Sequence, residues 1–147
     1  MSIFEDIKSN FHPEIYSKQL ETQGDFKLCL IKNKFIARYC LAVFEFNENK
    51  PIGDQIVAAR KEIFKVTKAL WCVREVGVYM VFLASKAPTQ LRESELAIDK
   101  TGFHAVIVQG VHIIGPKSFH LYNHSKWLSH TFGGANEISS KLQAITT

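Results

Sequence analysis

The sequence predicts an α+β fold in the order α-β-β-α-β-α-β-β-α, with a mostly antiparallel or mixed sheet of about five strands. Three observations carry that prediction. Two runs rich in β-branched and aromatic residues, 26–31 and 36–46, follow each other closely. One long amphipathic stretch begins at Pro51. A second pair of extended runs folds back at "GPKS", residues 115–118. Hairpins at both ends imply antiparallel pairs, with the helices expected on one face of the sheet. No repeat, linker or low-complexity stretch divides residues 1–147, so a single domain is expected.

The elements follow in order. Ile3, Phe4, Ile7 and Phe11 stand at helical spacing behind Ser2, a suitable N-cap. Pro13 ends that helix, and a second short one is expected from Pro13 to Leu20, stopped by Gly24. Strands at 26–31 and 36–46 are joined by the polar turn "KNK". The second is apolar on both faces, so it belongs in the middle of the sheet.

In the next segment Ile52, Ile56, Ala59, Ile63, Val66 and Leu70 form one apolar stripe, widened by Val57, Phe64 and Trp71. Arg60, Lys61, Lys65 and Lys68 are expected on the opposite face. Residues 73–84 read as a strand buried on both sides. "APTQLRESELAIDKTG" reads as a short helix with Pro88 near its start and Gly102 as its stop. The hairpin at "GPKS" follows, and a last helix shows Ile138, Leu142 and Ile145.

The bulk numbers narrow the function classes. The chain of 147 residues has a net charge of +4, too mild to demand a nucleic-acid partner. Cys29, Cys40 and Cys72 lie in apolar runs without a CxxC, which fits reduced, buried thiols. The N-terminus lacks the pattern of a secretion signal and no run is long enough to span a membrane, so a cytoplasmic protein with no membrane partner is expected.

Histidine is the most visible chemical signal. His120, His124 and His130 crowd one stretch, with His104 and His112 just upstream. Turn symmetry at "GPKS" pairs Ile114 with Phe119, Ile113 with His120 and His112 with Leu121. His112 and His120 then point to opposite sides of the sheet. His120 and His124 share a side but are separated by roughly 13 Å along the strand, beyond the reach of one metal ion. No metal site is assigned to them. His120, Tyr122 and His124 become a polar surface or interface edge. His112, on the more apolar face, is the first choice for a catalytic acid–base group, because partial burial places its pKa near working pH.

Three further features point to chemistry. Eleven phenylalanines suggest an apolar pocket between sheet and helices, lined by His104, Phe44, Phe46, Tyr79, Phe82 and Phe119. Glu48-Asn49-Lys50 resembles the ExK half of metal-dependent nucleases, where an acid holds magnesium and a lysine steadies the attacking water. The resemblance lacks an acid at a matching place on a neighbouring strand, since Asp25 precedes the first strand. Lys61, Lys65 and Lys68 offer a basic face to phosphates, without interleaved aromatic residues to stack on bases.

No GxGxxG, P-loop or GxSxG occurs and no cofactor is implied. Two glycines in "FGGAN", residues 132–136, precede the last helix. The function expected is that of a small binding or interaction domain. It is expected to be a homodimer taking an apolar small molecule or a protein partner. A nuclease-like or His112-assisted hydrolytic enzyme, and a nucleic-acid-binding protein, are the alternatives.

Overall fold

The computed structural model describes residues 3–12, 14–34, 37–67, 76–85, 106–116, 118–123 and 135–146. These form α1 (Ile3–Phe11), β1 (Lys18–Leu20), β2 (Phe26–Lys34), β3 (Ala37–Glu45), α2 (Ile52–Thr67), β4 (Val76–Leu83), β5 (Val106–Gly115), β6 (Ser118–Asn123) and α3 (Ala135–Thr146). The six strands make one sheet in the order β1-β2-β3-β4-β5-β6. The central pairs β3–β4 and β4–β5 are parallel, and the outer pairs are antiparallel. The α+β class and the mixed sheet are as the sequence predicts.

The helices lie on both faces of the sheet, not one. Ile52, Ile56, Ala59 and Ile63 of α2 pack on Cys40, Ala42, Val78, Met80, Val111 and Ile113. Ile7 and Phe11 of α1, with Ile138 and Leu142 of α3, pack on Tyr39, Leu41, Tyr79, Val81 and Ile114. The cause is legible in β4, where consecutive side chains from Val76 to Phe82 are all buried. A strand that is apolar on both sides needs cover on both sides, as parallel strands generally do.

Three local expectations change. The segment after Pro13 contributes the strand β1 rather than a second helix. Lys18 pairs with Ile31 and Leu20 with Cys29, so this short run occupies the edge of β2 that would otherwise be unpaired. The "KNK" segment is not the turn. Lys32, Asn33 and Lys34 are paired with Tyr39, Arg38 and Ala37. On α2, Arg60 is only 2% exposed, although the pattern places it on the face opposite the apolar stripe, while Val57, expected to widen that stripe, is 41% exposed. Val57 follows Ile56 by one residue, about 100° around the helix, and that turn carries it off the sheet-facing side.

The second hairpin keeps its predicted register: Ile114 faces Phe119, Ile113 faces His120 and His112 faces Leu121. Both faces of β5 are nonetheless buried, because α2 covers Val111 and Ile113. The helix expected over 87–102 lies outside the described residues. Among the described residues, no helix is long and apolar enough to cross a membrane.

Two bulges interrupt the ladders. Val78 pairs with Val108 and Tyr79 with Gly110, leaving Gln109 as an extra residue in β5. Phe26 pairs with Phe44 and Leu28 with Val43, leaving Lys27 as an extra residue in β2. The second bulge decides where Phe26 goes. Cys29 and Ile31 face α2, while Leu28 and Leu30 face α1 and α3. Regular alternation would send Phe26 with Leu28. The extra residue returns it to the α2 side.

Candidate functional site

The parallel strands β3 and β4 end level with one another, Phe44 beside Phe82 and Glu45 beside Leu83. In open sheets with helical crossovers, ligands bind beyond the carboxyl ends of such strands. Here that end opens into a cleft of about 750 Å³, bounded by the start of β2, the ends of β3 and β4, and the first turns of α2. Its floor is aromatic. Phe26 and Phe44 stack with ring centroids 4.3 Å apart, and Phe44 and Phe82 stack at 5.7 Å. Gly24, with φ at 61°, makes the turn into β2, and glycine adopts this left-handed conformation at low cost.

Gln55 builds the mouth. It stands at a stripe position of α2 where the sequence pattern would take an apolar residue. Its Oε1 accepts the Asn47 N–H at 2.8 Å, and its Nε2 donates to the Asn47 and Lys50 carbonyls at 2.8 and 3.0 Å. The Asn49 N–H donates to Asn47 Oδ1 at 2.9 Å, closing a turn within the same loop. This clamp holds Asn47–Lys50 against the helix and sets Lys50 on the cleft wall.

Carboxylates line the walls: Asp25, Glu45, Asp54 and Glu62. The Glu45 N–H donates to the Asp25 carbonyl at 2.9 Å, so these two residues lie across from one another. Lys27, the bulge residue, reaches Glu45 at 3.4 Å in an exposed ion pair. Lys27 and Glu45 also border a smaller hollow of about 250 Å³ with Phe4 and Leu83.

The predicted site residues divide. Phe44 and Phe82 meet in the cleft, and Phe46 packs partly buried against the same cluster. Tyr79 lies on the opposite face with α1 and α3. Burial, and then Tyr39, push its pKa up to about 12. Its hydroxyl has no hydrogen-bond partner among the described residues. Phe119, His120 and Tyr122 stand on β6 opposite Ile114, Ile113 and Val111. Lys61 and Lys65 are exposed on α2. His104, His124 and Lys68 lie outside the described residues. Of the nuclease-like triplet, Lys50 borders the cleft, whose walls carry Asp25, Glu45, Asp54 and Glu62 rather than Glu48.

His112 is fully buried rather than partly so, at 0% exposure. Its Nδ1 lies 3.1 Å from the Met80 carbonyl, which can only accept, so this nitrogen carries the proton. Burial drives its pKa down to about 4, with the Met80 bond opposing. Its ring is 6.4 Å from that of Tyr79, on the face away from the cleft. Cys29 and Cys40 are buried, with sulfurs 3.6 Å apart. The hydrogen bond between them, and then burial, push the Cys40 thiol well up.

Sequence reasoning missed Phe26, Glu45, Asp54 and Gln55, and set Asp25 aside because it precedes the first strand. The one available signal was Gln55, a polar residue on an apolar stripe. Among the described residues, no group of three or more His, Cys, Asp or Glu side chains is placed to hold a metal ion. No protein-family model and no curated protein matches the chain.

Proposed function

We propose that this protein is a small-molecule binding domain whose ligand lays an aromatic or apolar body on the Phe26–Phe44–Phe82 floor. The observation that carries the reading is the stacked floor itself, set at the carboxyl ends of parallel strands in a cleft of about 750 Å³. That volume falls within the range of about 300–1,000 Å³ typical of small-molecule sites. The stacked rings offer an aryl group an apolar contact at the bottom of the cleft. Ligand-observed NMR with 2-(2-naphthyl)ethanol tests it. Binding to the native protein that weakens at least fivefold in Phe44→Leu supports the reading. No binding at millimolar probe, or equal binding to the variant, overturns it.

A second reading rests on one observation, the placing of Asp25 opposite Glu45 with Lys27 and Lys50 nearby. Magnesium needs only one or two protein carboxylates, with water and phosphate oxygens completing its shell. A lysine beside them suits activation of an attacking water. This arrangement would serve metal-dependent phosphodiester cleavage. Incubation of plasmid and single-stranded DNA with the protein and 5 mM magnesium chloride tests it. Cleavage abolished in both Asp25→Asn and Glu45→Gln supports this reading, and cleavage unaffected by either, or none at all, sinks it.

A further inference from the structure

We propose that the ligand of this cleft is an organic cation, an amine or quaternary ammonium group carried on an aryl body. The inference rests on the binding reading and adds the ligand's charge. The walls bring together four carboxylates, Asp25, Glu45, Asp54 and Glu62, against one ammonium, Lys50. The whole chain is positive by 4, so this negative concavity runs against the overall balance. Asp25 and Asp54 have no ion-pair partner among the described residues. Glu45 and Glu62 are engaged only by exposed pairs, with Lys27 at 3.4 Å and Lys65 at 3.2 Å. Exposed pairs of this kind are weak, so a ligand cation competes readily for either carboxylate.

The floor adds apolar contact for the aryl body at its rim, because Phe26, Phe44 and Phe82 are 4%, 5% and 1% exposed and stack on one another. An anion would meet the four wall carboxylates, with Lys50 the one ammonium among the described residues that line the cleft. The polar atoms of Gln55 are already spent on the Asn47–Lys50 loop, so they do not offer a neutral ligand its hydrogen bonds. Discrimination here rests on the summed charge of four exposed carboxylates around an apolar floor, which screening weakens as salt rises.

The test compares three probes that share one ring system: 2-(2-naphthyl)ethylamine, 2-(2-naphthyl)ethanol and 2-naphthylacetate. Titration calorimetry at low salt is expected to rank the amine at least tenfold above the alcohol, with the acetate weakest. The double variant Asp25→Asn with Asp54→Asn, both at exposed positions, is expected to lose at least tenfold for the amine and less than twofold for the alcohol. Equal binding of amine and alcohol overturns the cationic ligand while leaving the binding cleft standing. Failure of all three probes overturns both. Displacement of the amine by low-millimolar magnesium chloride, beyond the effect of sodium chloride at matched ionic strength, overturns the cationic ligand in favour of a metal held by the same acids.

Discussion

The Phe26 and Phe44 rings stack at 4.3 Å and 18°, and they meet because a bulge takes up Lys27, one residue more than the ladder needs. The bulge turns Phe26 onto the α2 face, and the direct pairing of Phe26 with Phe44 sets the rings together. A double-mutant cycle with Phe26→Leu and Phe44→Leu is expected to show a coupling of about 0.5–1.5 kcal/mol by urea denaturation. In a chain lacking Lys27 the coupling should persist, because residue 26 then directly precedes Leu28 and regular alternation keeps it on the α2 face opposite Phe44. Loss of the coupling after that deletion would show that the ladder register does not position the floor.

Gln55 is the next point of leverage. Replacing it with alanine removes three hydrogen bonds and leaves the Asn47 N–H and the Lys50 carbonyl to be satisfied by water, while the Asn47 carbonyl keeps the Lys50 N–H at 3.3 Å. A loss of about 1–3 kcal/mol is expected. Gln55→Glu separates the roles of the two side-chain atoms. Its carboxylate can still accept from Asn47 but turns an oxygen toward two carbonyls. That repulsion raises the folded-state pKa of the new acid. The variant should therefore be nearly native below about pH 4, the ordinary glutamate range, and lose stability as pH rises through the raised value. Equal denaturation midpoints for Gln55→Glu relative to the native protein at pH 3.5 and 7.5 would refute the assignment.

The central strands and the long helix were legible because their patterns are regular. β4 is apolar at every position, and Ile52, Ile56, Ala59 and Ile63 keep one period. The "GPKS" hairpin was legible down to its register, because a short turn fixes which residues face each other. The site was far less so. Phe26 reaches it through a bulge, and no periodicity reports an inserted residue. Asp25 and Glu45 are 20 positions apart in sequence and become neighbours only when β2 and β3 pair. β1 escaped notice because the sheet edge, not the local propensity of Lys18–Leu20, makes it a strand. His112 was the most misleading signal. Its position on an apolar face was read correctly, but helices on both faces of the sheet turn partial burial into complete burial.

The thiol pair makes a prediction about reactivity. Cys29 and Cys40 are fully buried, and the Cys40 thiol is held protonated. The thiolate is the reactive form. In a Cys72→Ser background, native protein at pH 8 should react with an aromatic disulfide reagent at less than one hundredth of the rate of the urea-unfolded chain. Stoichiometric labelling of the native form within minutes would mean that β2 and β3 open far more readily than their pairing implies.

His112 links the fold to pH. Its imidazole is neutral in the folded protein, with a pKa lowered to about 4 from the ordinary 6.5. The unfolded chain therefore binds a proton in this interval that the folded chain does not. Stability from this group is whole above pH 6.5 and is lost as pH falls toward 4, with a full span on the order of 3 kcal/mol. Carboxylates titrate in part of the same range, so the native chain alone cannot isolate the effect. His112→Asn can, since its amide keeps a donor near the Met80 carbonyl and does not titrate. At pH 7.5 the native protein should be the more stable, because the smaller side chain leaves a gap in the core. Between pH 7.5 and pH 4.5 that advantage should shrink by about 2–3 kcal/mol in urea denaturation. An advantage that stays constant across the interval would mean that His112 titrates alike in the folded and unfolded chains, and that its burial does not withstand protonation.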